Sequence, residues 1–189
     1  MNFYEQLIGG YDLQWAMASG WACNCVCEHA RVESLDLSGI KIVNGDYASQ
    51  ALQAELNKEA TIQRICVITA EKMEGPTVVF TASVAGARAV AHYLNNNYGI
   101  PAAYVYGTQP EEERNEALRR FKSGEAKVLA NCQVVAIGFD FPPTQTLIMA
   151  RPTRSLSFRL QCIGRAARPL AGVVDGLATA EERVAAIKA

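Results

Sequence analysis

The chain has no long apolar run. Half of its 189 residues are apolar, yet no stretch approaches the ~20 residues that cross a bilayer, so no membrane partner is expected. Its first residues lack the basic patch and apolar core of an export signal. The six unevenly placed cysteines are accordingly expected to stay reduced, with the cytoplasm as the default compartment. Charge of one sign is also missing. Eighteen basic against nineteen acidic residues leave a net charge of −1, so any polyanion must be met by local clustering. No GxxxxGK[ST] loop occurs to cradle the β- and γ-phosphates of a nucleotide. No Asp-Glu pair follows an apolar strand to hold Mg²⁺. The chain alone is therefore not expected to hydrolyse a nucleoside triphosphate.

What is present is local. Residues 151–168 carry five arginines and no acidic residue. Within them, Gln161, Arg165 and Arg168 fall at i, i+4 and i+7, on one helical stripe that Phe158 and Arg154 extend backwards, with Gly164 between. The opposite positions Leu156, Leu160, Ile163 and Ala167 are expected to hold this helix on a core. Two arginines a helical turn apart suit phosphate, because each presents a planar, permanently charged donor fork. A solvated face with ordinary surface arginines explains the helix alone equally well.

The chain divides near Gly75-Pro76, after an irregular segment. Beyond it, strands are expected at Thr77–Thr81, Ala102–Val105, Lys127–Ala130 and Thr146–Ala150. Helical patterns from Val84 to about Leu94 and from Pro110 to Phe121 alternate with them. Strands separated by such helices imply parallel crossovers and a sheet covered on both faces, with ligands outside the carboxyl ends of the strands. The 110–121 helix is marked by Pro110, three glutamates at its positive end, basic residues at its negative end, and Gly124. Arg114 falls on its inward stripe, where Asp140 is a candidate partner.

Residues 46–72 read as helical, with Asp46 or Ser49 as a possible cap, and residues 180–188 as a last helix. Cys23, Cys25, Cys27 and His29 alternate. On a strand, Cys23 and Cys27 stand roughly 13 Å apart, too far to converge on one zinc, so buried thiols on a sheet face are favoured and no metal site is assigned. His92, in an alanine-rich helix, is read as a packed or surface histidine.

Several motifs in order carry a resemblance. Val79-Phe80-Thr81-Ala82-Ser83, Tyr106-Gly107 with Arg114, Phe121 and Gly124, Gly138-Phe139-Asp140, Arg151-Pro152-Thr153-Arg154-Ser155 and the Gln161-to-Arg168 helix resemble the second RecA-like domain of superfamily 2 DEAD/DEAH-type helicases. The nearest flavour is the group of restriction-enzyme motors and XPB-like translocases. The resemblance implies a RecA-like three-layer α/β/α domain with a mainly parallel sheet over residues 76–169. Residues 1–75 would be an N-terminal extension linking to a first motor domain that is missing here, and residues 170–189 a tail.

The family hydrolyses ATP with Mg²⁺ between two such domains and moves along nucleic acid. Carried over, Arg165 and Arg168 would be arginine fingers, ordered by Gln161. Gly138, Asp140 and Gly164 would lie beside the nucleotide. Thr81, Ala82, Ser83, Gly107, Asn131, Cys132 and Gln133 would face the nucleic-acid backbone. DNA is preferred solely through those relatives.

Cys132 stands where many relatives place threonine, Gln133 where an acid is frequent, and Ile137 where a polar residue is usual. Two classes stay open: a motor half completed by the first RecA-like domain in cis or in trans, and an adaptor that binds nucleic acid or protein without ATP turnover. An unrelated α/β domain holding a small phosphorylated ligand explains the arginines but not the other spacings.

Overall fold

The computed structural model describes residues 12–132 and 141–188. In chain order its elements are α1 (Leu13–Ala18), β1 (Ile42–Val43), β2 (Asp46–Tyr47), α2 (Ser49–Leu56), α3 (Glu59–Lys72), β3 (Thr77–Phe80) and α4 (Val84–Tyr98). There follow β4 (Ala102–Tyr106), α5 (Glu111–Lys122), β5 (Val128–Cys132), β6 (Thr146–Met149), α6 (Leu156–Ala166) and α7 (Ala180–Lys188). The chain groups into two compact units, residues 26–166, and the two chain ends, residues 1–25 with 167–189.

In the larger unit, β3 to β6 form one parallel sheet in the order β4-β5-β3-β6. The strands are short, rich in Val, Leu and Ala, and show no polar alternation. Every residue of β3 and β5 is buried, which demands cover on both faces. Alternate residues supply it. Val79, Val128 and Ala130 pack against Ile62 and Ile65 of α3 and Val90 and Leu94 of α4. Val78, Phe80, Val105 and Leu129 pack against Ala117 and Phe121 of α5 and Cys162 of α6. This is the expected three-layer α/β/α architecture. Because all four strands run the same way, their carboxyl ends, Phe80, Tyr106, Cys132 and Met149, share one edge of the sheet.

Helix α4 runs four residues beyond its expected end, to a left-handed Gly99 (φ 62°). Its start is fixed by Ser83, whose Oγ accepts the Gly86 N–H at 2.9 Å.

The segment before the sheet differs from the reading of residues 46–72 as helical. It is a hairpin followed by two helices, with a break at Asn57-Lys58. Asn44 and Gly45 both have positive φ (50° and 81°), and Ile42 and Val43 pair with Tyr47 and Asp46 across this two-residue turn. Neither Asp46 nor Ser49 caps α2, whose N-cap is Ala48 without a side-chain bond. Residues 21–29 are not a strand either and belong to neither sheet of the described residues. Cys25 and Cys27 are exposed rather than buried on a sheet face.

In the smaller unit, Asp12 caps α1 through the Trp15 N–H at 2.7 Å, and α7 has the expected bounds. Arg183 is 7% exposed. It donates to the carbonyls of Ser19 (2.8 Å), Leu177 (3.0 Å) and Ala178 (3.1 Å), and lies over the Trp21 ring at 4.1 Å. Gly20 (φ 70°) is required beside it, because a Cβ there would stand 2.5 Å from Arg183 Cβ. No described helix is long and apolar enough to cross a membrane.

Candidate functional site

Helix α6 starts as its sequence dictates. Ser155 Oγ accepts the Phe158 N–H at 3.2 Å, an N-cap that satisfies one orphan donor of the first turn. The buried face, however, is only partly the expected one: Ala167, just past the helix, is buried and Ile163 half-buried, but the two leucines are not inside. Leu156 and Leu160 are 60% and 42% exposed, while Cys162 is fully buried. The side that meets the core is Phe158 and Cys162, one turn apart. Phe158 meets Phe80, the last residue of β3, edge-on at 6.5 Å, and the Arg151 guanidinium lies 4.8 Å over its ring. One aromatic ring received by an aromatic edge and a cation outweighs two leucines, and a small thiol fits where the helix comes nearest the sheet.

This rotation sets the polar residues. Gln161 is exposed and Arg165 half-buried. Helix α6 ends at Ala166, so Arg168 lies two residues beyond it and belongs to the other compact unit. The shared helical stripe therefore holds for Gln161 and Arg165 and not for Arg168. At Gly164 a Cβ would meet no heavy atom within 4 Å, so the helix keeps open space beside Arg165.

Arg151 is a cation that spacing alone did not single out. Burial pushes the Cys162 thiol up to about 11, against the opposing fields of Arg151 and Arg165. Burial likewise raises Cys132 at the end of β5, again with Arg151 opposing. The Arg151 Nε is buried without a hydrogen-bond partner among the described residues. Its sequence signals were the acid-free run of arginines that it opens and its place at the head of the Arg151-to-Ser155 motif. For a nucleotide, Arg151, Arg165 and Gln161 offer donors suited to phosphate oxygens. The described residues offer no cluster of three or more His, Cys, Asp or Glu for Mg²⁺.

The residues expected to face nucleic acid are placed differently from one another. Thr81, Ala82, Ser83, Asn131 and Cys132 are all buried, Asn131 completely. Thr81 Oγ1 lies within donating distance of the Asn131 and Ser83 carbonyls, at 3.0 and 3.1 Å. Ser83 donates to Asn57 Oδ1 at 2.7 Å while capping α4. Ala82 packs with Leu52 and Leu56 of α2. Asn131 Nδ2 donates to the Val79 carbonyl at 3.1 Å, and its Oδ1 has no partner among the described residues. These side chains are committed to holding the strand ends, because α2 and its neighbours cover the loop after β3. Gly107 is exposed, with open space around it. Gln133, Ile137, Gly138 and Asp140 lie outside the described residues, and with them the Arg114–Asp140 pairing. Arg114 itself is half-buried, and His92 is exposed beside Asn96.

A parallel sheet covered by helices on both faces, whose last strand feeds a helix bearing Gln161 and Arg165, defines a three-layer α/β/α domain. The profile of the helicase conserved C-terminal domain matches residues 57–169, more than half of the chain, which therefore belongs to that family as a superfamily 2 helicase C-terminal domain. A 51.5 kDa protein of a Lactococcus phage is 27% identical over 158 residues, covering 84% of this chain and 34% of the phage protein. The Saccharomyces cerevisiae protein named "Putative ATP-dependent helicase IRC3" is 30% identical over 152 residues, covering 78% of this chain and 22% of the yeast protein. The ATP-dependent RNA helicase vasa of Drosophila melanogaster is 30% identical over 114 residues, covering 60% of this chain and 17% of vasa. The chain thus spans about a third or less of the length of these relatives. Among solved structures, the C-terminal domain of the DEAD-box protein Dbp5 is 20% identical with a TM-score of 0.48, covering 55% of this chain and 61% of that one.

Proposed function

We infer that the chain is the second motor domain of an ATP-dependent nucleic-acid helicase or translocase, completed by a first RecA-like domain in cis or in trans. The observation that carries this is α6. It presents Gln161 and a half-buried Arg165 beside the open space at Gly164, on a helix held rigidly by Phe158 and Cys162.

Arg165 and Arg168 act as fingers on the triphosphate of ATP held by the first domain, and Gln161 orders their contacts. Bound Mg²⁺ supplies charge neutralisation of the phosphates, from ligands on that first domain. With neither a phosphate-cradling loop nor a Mg²⁺ ligand pair, the isolated chain turns over no ATP. Backbone contacts around Gly107 and the neighbouring loops hold the nucleic-acid phosphates without reading sequence. DNA is the favoured track through the group the sequence resembles; the relationship to vasa makes RNA the comparison to run.

The test is ATP turnover by this chain joined to a first motor domain, with single-stranded DNA or RNA present. Arg165→Ala and Arg168→Ala are each expected to lower kcat by about 10³-fold or more. Turnover by the isolated chain would contradict the reading. A wild-type pair that binds nucleic acid without turnover would establish the adaptor instead, with each arginine then contributing one phosphate contact and some salt dependence.

A further inference from the structure

The hairpin formed by β1 and β2 has no part in the reading above, yet it reaches the start of α6. Its Asn-Gly turn is a tight connection in which both central residues have positive φ, so Asp46 is presented from a rigid corner, the first residue after the turn. The Asp46 carboxylate accepts three hydrogen bonds. One comes from the Tyr47 N–H (2.9 Å), within the hairpin. The other two come from more than a hundred residues away, the Thr153 hydroxyl to Oδ2 at 2.7 Å and the Arg154 N–H to Oδ1 at 2.8 Å. Thr153 Oγ1 in turn accepts the Ser155 N–H at 3.0 Å, and Ser155 Oγ caps α6 at Phe158. The chain of bonds is unbroken from the hairpin carboxylate to the first turn of the arginine helix.

Tyr47 packs with Leu52, Leu56 and Ala82, so the same element is anchored on the loop after β3. Burial disfavours the charge on Asp46, but the Arg154, Thr153 and Tyr47 bonds and the nearby Arg151 together hold its carboxyl below the usual value.

We propose that Asp46 is a positioning residue for the candidate site, acting through Thr153 and Ser155 to fix where α6 begins and hence where Gln161 and Arg165 stand. A carboxylate suits the role because it accepts on both oxygens. An asparagine in its place keeps one acceptor for the two backbone N–H groups but loses the charge and turns an N–H towards the Thr153 hydroxyl, which must then accept where it had donated. The inference rests on the function proposed above only for its consequence in turnover; the structural half stands by itself.

The experiment has two readouts. In the isolated chain, amide hydrogen exchange of residues 158–162 is followed in Asp46→Asn, Thr153→Val, the double variant and Thr153→Ser. Loss of a hydrogen bond to a charged group is expected to speed exchange there by about tenfold, while α4 keeps its protection. The double variant should be no worse than either single one, and Thr153→Ser should retain protection. Unchanged exchange in α6, or additive effects, would overturn the proposal. Should Asp46→Asn fail to fold, the Thr153 pair decides.

In the completed motor, Asp46→Asn and Thr153→Val should lower kcat by about tenfold with KM for ATP unchanged, and Thr153→Ser should restore it. Loosened exchange with wild-type kcat would make Asp46 structural only and overturn the positioning role. No turnover in the wild-type motor would reject the motor reading, and the exchange data alone would then confirm or reject the link between Asp46 and α6.

Discussion

At the scale of single residues, Gly164 separates what the fold wants from what the site wants. It sits inside α6, where glycine costs about 0.5–1 kcal/mol relative to alanine, and the space around a Cβ there is empty. Gly164→Ala is therefore expected to raise the stability of the isolated chain by up to about 1 kcal/mol, read as a higher denaturation midpoint. If the open space receives a phosphate in the completed motor, the same methyl crowds it, and ATP turnover falls while stability rises. A variant that is both more stable and fully active would remove Gly164 from the site. Arg151 makes the complementary point. Spacing named Arg165 because a helix face can be read from periodicity. Arg151 precedes the helix, and its place over Phe158 depends on a packing choice that periodicity does not encode.

At the scale of elements, that packing choice is the rotation of α6. Two apolar stripes compete on this helix, Leu156 with Leu160 and Phe158 with Cys162, and counting apolar residues favours the leucines. The sheet favours the other side, because Phe80 and Arg151 are shaped to receive a ring. Leu160→Gln is accordingly expected to change stability by less than about 0.5 kcal/mol, as at an ordinary surface position. Phe158→Ala should cost several times as much, about 3 kcal/mol, through the lost ring and the cavity. Equal costs would restore the orientation expected from sequence.

The strands were legible because runs such as Thr77–Phe80 and Val128–Cys132 have one stable home, a parallel sheet covered on both faces. The hairpin was legible in principle, since Asn44-Gly45 is a strong two-residue turn signal. The helical pattern that follows drew Asp46 into the wrong element. The burial of Thr81, Ser83 and Asn131 was not legible, because it is imposed by α2 and by contacts across as many as 52 residues of chain.

At the scale of the whole molecule, the six cysteines report which parts are closed. Cys25 and Cys27 are exposed, Cys23 is intermediate, and Cys66, Cys132 and Cys162 are buried. A thiol reagent should modify Cys25 and Cys27 of the native protein rapidly at neutral pH. The three buried thiols should react only as the larger unit opens, because reaction needs both access and thiolate. The same burial fixes the response to alkali. Desolvation pushes Cys66 up to about 12 and Cys162 up to about 11, from an ordinary value near 9.0. Below pH 9 both the folded and the unfolded chain carry neutral thiols, and the stabilisation is complete. As pH rises from about 9 towards 11 and 12, the unfolded chain releases protons that the folded chain retains, so the equilibrium shifts towards unfolding. The denaturation midpoint is therefore expected to fall across that window. In Cys66→Ala the fall should be smaller, although the variant starts from a lower midpoint because a buried side chain has been truncated. A midpoint whose decline between pH 9 and 11 is the same with and without Cys66 would show that the thiol on the α3–α4 side of the sheet is not sealed from water. The two-faced core described above would then be open at that helix layer.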